Sequence, residues 1–435
     1  MSALYYLLGV VIFVIAILAS IALHELGHLV WAKKFGGKVT QYFVGFGNTL
    51  WSRKVGETEY GIKSIPLGGY VKIVGMLPPD EQGHLRQTNT GMFTQLVADA
   101  RAAERELVGE GDEDRLFYRM AWWKKVIVMA AGPSVNIAIA FVIFAALFAT
   151  YGNLNDRVIE TTVAEVQPCV VPASEEDRAC RPSDPASPAA IAGLQPGDTF
   201  VSFNGVTITD WRHVQQVIRE NDSGAAEIVV LRDGERLTLT TNTLVRPMNT
   251  SIDDPEQREP VGFLGVVPHH YLQTGGIGYT VGQMGEMTVA TLDALAHLPV
   301  KVWGVGRAIV GLEERAADSP VSIVGGGRLA GETAAHEGFP VLEKTVLLLM
   351  LIGAFNFFIG MFNFVPLLPL DGGHIAGALY EALRRGWARL RRRPDPGFVD
   401  VAKALPVAYV VAAAFIVMSI VLIVGDLVVP LHIPS

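Results

Sequence analysis

Charge disappears from this chain four times, each time for about the length that crosses a bilayer. No Asp, Glu, Lys or Arg occurs in Ala3–Leu23, Val126–Tyr151, Val346–Leu370 or Leu405–Gly425. About 20 apolar residues wound as a helix span roughly 30 Å of hydrocarbon, so the pattern predicts four transmembrane helices. The first segment exceeds an ordinary signal-peptide core, and no Lys or Arg precedes Lys33, which argues against a cleaved leader.

Between the spans the pattern changes period. From Gly37 to Gly75, strand-like stretches (Val39–Val44, Glu59–Ile65, Tyr70–Val74) are broken by Gly45-Phe46-Gly47 and Pro66-Leu67-Gly68-Gly69. They predict β-hairpins, lying in the cytoplasm or dipping into the membrane where protein or water satisfies the backbone. The glycines at these breaks, Gly45, Gly47, Gly68 and Gly69, are candidate substrate contacts. Thr90 to Arg119 is charged with a helical pattern, read as a surface helix containing a charged insert at Ala98–Asp114. Val158 to Arg246 forms a mixed unit: Thr199–Phe203 and the turn Asn204-Gly205, a short helix capped by Asp210, then Ala226–Leu231 and Arg236–Thr241 joined across Asp233-Gly234. Pro247 to Arg258 is read as a linker, and Gly275 to Glu343 as an amphipathic membrane-surface or clamp element.

Composition sharpens this. Half the residues are hydrophobic and 18% are charged, with net charge −8, which excludes nucleic acid as the main partner. From Lys33 to Lys125 there are 14 Lys/Arg against 11 Asp/Glu, and from Gly152 to Glu343 there are 13 against 26. Between spans three and four lie Arg384, Arg385, Arg389, Arg391, Arg392 and Arg393. Basic residues near span ends stay in the cytoplasm. Both termini and the acidic central region are therefore expected outside, with the first and third loops inside. Cys169 and Cys180 are the two cysteines, either bridged in an oxidising compartment or free.

The chemistry begins where the first span ends, at His24-Glu25-Leu26-Gly27-His28. Two histidines four residues apart on a helix face one way and can share a metal ion, with Glu25 beside them as base. Ionisable groups in or beside a span read as functional. A catalytic zinc site needs a third protein ligand. In the third span, Pro366 and Pro369 break the helix just before Asp371-Gly372-Gly373-His374, at about the depth of His24 because spans one and three run the same way. Asp371 is the expected third ligand and His374 the alternative.

These pieces resemble the site-2 protease family of intramembrane zinc metalloproteases: His-Glu-x-x-His in span one, Gly132-Pro133-Ser134-Val135-Asn136 in span two, and Asn363 through Pro366 and Pro369 to Asp371-Gly372-Gly373 in span three. The run Ser187-Pro-Ala-Ala-Ile-Ala-Gly-Leu-Gln-Pro-Gly-Asp198 resembles the PDZ domains of bacterial proteases. Together they match the bacterial regulatory subgroup with one PDZ domain. The fold expected is a polytopic α-helical membrane protein of about four transmembrane helices, with a membrane-associated β-hairpin region and an inserted extracytoplasmic α+β PDZ domain. Its expected segments are span one at 1–35, hairpins and surface helix at 36–125, span two at 126–151, PDZ at 158–246, linker and amphipathic elements at 247–343, span three at 344–373, an Arg-rich loop at 374–404 and span four at 405–428. The resemblance implies one zinc ion on His24, His28 and Asp371, Glu25 as the catalytic base, and Asn363 contacting substrate backbone. It implies a plasma-membrane enzyme, its active site toward the cytoplasm, cleaving single-span membrane proteins pre-trimmed by another protease: anti-sigma factors or signal-peptide remnants. The PDZ domain then binds or excludes the substrate's outer segment. Two other readings compete: a catalytically silent PDZ scaffold, which an intact Glu25 opposes, and a zinc transporter, which the lack of a repeat opposes.

Overall fold

A computed structural model describes residues 2–78, 107–171, 178–222, 224–249 and 258–431. In chain order its helices are α1 Ser2–Lys34, α2 Trp122–Thr150, α3 Pro188–Ala192, α4 Trp211–Glu220, α5 Ile277–Ala296, α6 Leu298–Ile309, α7 Ile323–Ala335, α8 Val341–Asn363, α9 Asp371–Leu390 and α10 Leu405–Val428. The strands are β1 Val39–Val55, β2 Thr58–Ile73, β3 Asn153–Val166, β4 Thr199–Phe203, β5 Val206–Thr207, β6 Ala225–Arg232, β7 Glu235–Asn242, β8 Leu244–Asn249, β9 Arg258–Phe263 and β10 Val266–Gln273. They divide into two units: Met1–Ala149 with Gly275–Ser435, and Thr150–Thr274.

In the first unit α1, α2, α8 and the Val401–Val428 segment containing α10 are long and apolar enough to cross a membrane. At 1.5 Å per residue the 33-residue α1 is about 50 Å long, so it outruns the hydrocarbon and carries Lys33 and Lys34 beyond it. Phe13 and Ile17 of α1 pack with Ala330 of α7 and Ile352 of α8. Lower down, Leu29 and Ala32 of α1 form a second core with Val39, Ile73, Phe117, Val128 and Met129. That core seats the hairpin at the end of α1, where Tyr42 Oη also donates to the Ala22 carbonyl at 2.8 Å.

The hairpin folds on itself. Residues 39–44 of β1 pair with 69–73 of β2 on one side, residues 41–44 also pair with Glu59–Ile62 on the other, and Glu59–Ile62 pair in turn with Trp51–Lys54. A single long hairpin thereby makes a ribbon of four side-by-side strand segments whose inner edge lies against α1 and whose outer stretch, 48–56, is exposed. Phe46, Leu50, Trp51, Ile62 and Ile65 stay exposed on this ribbon.

The second unit is an antiparallel sheet in the order β10-β3-β4-β6-β7, with β5 paired to β4 and β8 paired to β9. Val163, Phe200, Phe203, Trp211, Val214, Ile218, Ile228 and Val230 fill its core. The short-range signals map directly onto it. Asp210 accepts the N–H of His213 at 2.9 Å and starts α4. Asp233 and Gly234 both take positive φ, 50° and 86°, in the two-residue turn joining β6 to β7. Cys169 and Cys180 form a disulfide. Asp198, wholly buried, is held by the Arg232 guanidinium at 2.7 Å.

Several expected boundaries move. Of the surface helix expected over Thr90–Arg119, positions 90–106 lie outside the described residues, as does most of the 98–114 insert. The rest forms two single 3₁₀ turns, Glu113–Arg115 and Phe117–Arg119, because Leu116 and Phe117 turn inward against the hairpin instead of continuing a solvent face. Helix α8 stops at Asn363, and half of the Arg-rich stretch at 374–404 is helical: α9 runs from Asp371 to Leu390. Ala, Leu and Arg are all strong helix formers, which a count of arginines alone conceals. The Pro247–Arg258 linker is partly strand, since β8 and β9 pair across it, and the sheet extends to Gln273, beyond the expected limit at Arg246.

Candidate active site

His24 and His28 lie one turn apart on α1 and both are buried. Each is fixed from behind by α2. His28 Nδ1 is 2.7 Å from the Val128 carbonyl, and His24 Nδ1 is 2.7 Å from Asn136 Oδ1. A carbonyl only accepts, so His28 carries its proton on Nδ1 and its Nε2 presents a lone pair. Asn136 is oriented in the same sense. Its Nδ2 donates to Asn356 Oδ1 at 3.1 Å, and Asn356 Nδ2 donates to the Ile352 carbonyl at 2.9 Å. A backbone carbonyl of α8 thus fixes the direction of two side-chain amides, and through them the His24 tautomer that leaves Nε2 free. Asn136 and Asn356 are both fully buried.

Asp371 arrives from the other side. The loop after α8 carries Pro366 and Pro369, neither of which can donate to a continuing helix, and α9 begins at Asp371. Asp371 Oδ2 lies 3.3 Å from Nε2 of both His24 and His28, and the two Nε2 atoms are 3.2 Å apart. Among the described residues these three donors form a converging set, and His374 is not part of it. Gly132 of α2 borders the space: a Cβ there would collide with His28 Nε2 and lie 2.8 Å from His24 Nε2. Gly27 likewise lets α1 approach α2, where an added Cβ would be 2.8 Å from the Ala131 carbonyl oxygen.

The donor set fits zinc. Ligands about 2.0–2.1 Å from a tetrahedral ion stand about 3.3 Å from one another. The three separations match that edge, the donors are two neutral imidazoles and a carboxylate, and both histidines have a hydrogen-bonded Nδ1 as zinc-binding histidines do.

Glu25 lies beside the hairpin. The Val71 backbone lies beside its carboxylate. Gly69 passes so close that an added Cβ would lie 3.1 Å from Glu25 Cγ. Of the four candidate glycines, Gly69 therefore borders the cluster. Gly45, Gly47 and Gly68 instead hold positive φ where the ribbon bends. Asn363 directs its Nδ2 to the Ile359 carbonyl of its own helix at 3.0 Å. The residue that sequence reasoning missed is Asn356. Its signal was an amide in the middle of an uncharged span, where an unsatisfied polar group is costly.

A sequence model of Peptidase family M50 matches residues 12–393. The chain is 33% identical to "Zinc metalloprotease Rip1" of Mycobacterium tuberculosis over 434 residues, covering 98% of this chain and 99% of the relative. Identity to Rip1 of Mycolicibacterium smegmatis is also 33%, with 98% of each chain covered. "Metalloprotease MmpA" of Caulobacter vibrioides is 27% identical over 86% of both chains. With a match this long and four apolar helices, the chain belongs to peptidase family M50, the site-2 protease family, and is a multi-pass membrane zinc metalloprotease.

Proposed function

We propose that this enzyme carries out regulated intramembrane proteolysis, cutting single-span membrane proteins after another protease has trimmed their outer part. Anti-sigma factors and signal-peptide remnants are the substrate classes that the family resemblance favours. The observation that carries the reading is the convergence of His24, His28 and Asp371 near the end of a membrane-crossing helix, with Glu25 between them and the edge of a β-ribbon.

His24, His28 and Asp371 hold the ion. When bound, zinc polarises the scissile carbonyl and brings water to a pKa of about 7. Glu25 takes the proton of the attacking water and passes it to the leaving amine. The Asn136–Asn356 chain keeps His24 from rotating. The substrate helix has to unwind first, because its carbonyls are tied up in its own hydrogen bonds. An unwound segment pairs with an edge of the ribbon near Gly69, so that its backbone remains satisfied away from water. One N–H of Asn363 is held by Ile359, leaving its other N–H and Oδ1 for substrate backbone.

The sheet unit is read as a PDZ domain on the extracytoplasmic side that restrains access, with the cluster toward the cytoplasm of the plasma membrane. Its order of strands around α4, its Ser187-to-Asp198 segment and the acidic balance of the central region support this. Purified protein incubated with a single-span substrate, with and without a zinc chelator, tests the proposal. Cleavage lost on chelation and restored by zinc is expected. Metal-independent cleavage, or none with any trimmed substrate, would discard it.

A further inference from the structure

The helix that begins at Asp371 has two unlike faces. Ala378, Glu381 and Ala388 are buried, and Glu381 receives Lys125 of α2 at 2.8 Å. Turned away from these, Leu379, Tyr380, Leu383, Trp387 and Leu390 are 44% to 77% exposed. At 100° per residue the five fall in one stripe about 100° wide. Lone exposed apolar side chains are ordinary on a protein surface, but a stripe of five large ones marks a docking face.

The end of the helix says what docks. Arg389, Arg391, Arg392 and Arg393 follow within five positions, all exposed. Arg384 and Arg385 are used internally, on the Pro396–Phe398 carbonyls and on Glu381 and Asp395. Among the described residues, the four terminal arginines have no such partner, and the Arg391 guanidinium rests 4.3 Å from the Trp387 ring centre. Short connections tie α9 to two membrane-crossing helices: it begins eight residues after α8 ends, and α10 follows at Leu405. The face therefore lies where those helices meet the surface of the bilayer. An apolar stripe with Trp and Tyr in it, ending in clustered arginines, suits the boundary between acyl chains and anionic headgroups. Guanidinium groups match phosphate geometry, and trapped between aromatic and lipid they stay charged.

We propose that α9 lies on an anionic lipid leaflet, its stripe in the headgroup–acyl boundary and its four arginines on lipid phosphates. The bilayer then presses the helix from one side while Lys125 holds Glu381 from the other, and Asp371 is the first residue of that helix. Anionic lipid becomes part of what sets the position of a candidate metal ligand.

Both native cysteines are joined to each other, so Leu383→Cys gives the full chain one reactive thiol for a nitroxide. The labelled protein is placed in nanodiscs of phosphatidylcholine, alone or mixed with phosphatidylglycerol, and relaxation by oxygen is compared with relaxation by a water-soluble nickel chelate. With phosphatidylglycerol the label should be oxygen-accessible and sheltered from nickel, and high salt should reverse this. Each arginine lost should lower the docked-to-undocked ratio about fivefold, as expected for one basic residue at an anionic surface. Replacing all four by Ser should abolish the difference between the two lipids. If that variant folds poorly, Arg392→Ser alone with a salt titration gives the same reading. Equal nickel access in both lipids overturns the proposal. So does shelter that appears only when two copies share a disc, which would make the stripe a contact between copies.

Discussion

At the scale of residues, Glu25 and Asp371 are both carboxylates beside His24, yet their placements assign them different work. Asp371 Oδ2 sits on the His24–His28 edge, whereas Glu25 lies against Val71 and Gly69 of the hairpin. Glu25→Gln keeps size and hydrogen bonding and removes the base, so cleavage of one model substrate should fall by about 10² to 10⁴ while zinc per mole of protein is unchanged. Near-normal cleavage in that variant would sink the assignment. Asp371→Asn should lose both zinc and activity; full zinc retention would move the third ligand elsewhere, with His374 the first to test. Asn356 makes a separate prediction, because it touches neither substrate nor donor atoms. Asn356→Leu leaves the Asn136 amide without its acceptor and frees His24 to rotate. Outer partners of metal-binding histidines typically contribute 10- to 100-fold in affinity, so a chelator competition should show zinc held that much more weakly. Unchanged zinc affinity would show that His24 does not depend on this chain of amides. The convergence of His24, His28 and Asp371 was legible from the helical spacing of the two histidines and from the Pro-broken end of the third span. Asn356 was not, since one amide in an apolar run names no partner until α2 and α8 are brought together.

Among the elements, α9 decides how firmly Asp371 is held. Its attachment to α2 is Lys125–Glu381, at 2.8 Å with both side chains buried, and Phe398 lies over both Lys125 and Arg385. Removing one member of such a pair strands the other's charge away from water. Lys125→Met should therefore destabilise by about 3 kcal/mol, while Lys125→Met combined with Glu381→Leu should recover most of that loss. Thermal unfolding of the detergent-solubilised protein, read with zinc content, checks this; equal stability of the single and double variants would mean that the pair is solvated. This helix also shows where sequence reading ran out. The four spans were plain from missing charge, and the turns at Asn204-Gly205 and Asp233-Gly234 from their residue types. Helix α9 was hidden because its arginines suggested a loop, and its apolar stripe repeats at helical spacing beside a buried Glu that only the fold explains. The ribbon was legible as strands but not as four side-by-side segments, since residues 41–44 pair on both sides and local pattern cannot state a second partner.

For the whole molecule, the side each part faces and the part the sheet unit plays in access each make a prediction. The six arginines between α8 and α10 predict that a thiol placed in Leu383–Arg393 reacts only with a membrane-permeant reagent, whereas one at Asp233 reacts from outside in intact cells. The reverse pattern would overturn the topology and move the sheet unit to the cytoplasm. The unit itself can be removed cleanly, because its ends meet: Asn153 at the start of β3 is paired with Gln273 at the end of β10. Cutting at Val158 and Arg246, the limits legible from sequence, would instead leave β9 and β10 behind with exposed edges and no core. Replacing Asn153–Gln273 by a short Gly-Ser linker keeps both flanking helices and preserves the distance between them. If the unit restrains entry, this shortened enzyme should cut substrates that still carry their outer domains, which the full chain leaves intact, and should cut pre-trimmed substrates at a similar rate. If it recruits substrate instead, cleavage of the pre-trimmed form should fall with zinc content unchanged. Measuring both substrates on the one variant separates a barrier from a receptor, and a loss of zinc would show that the unit supports the fold of the metal site.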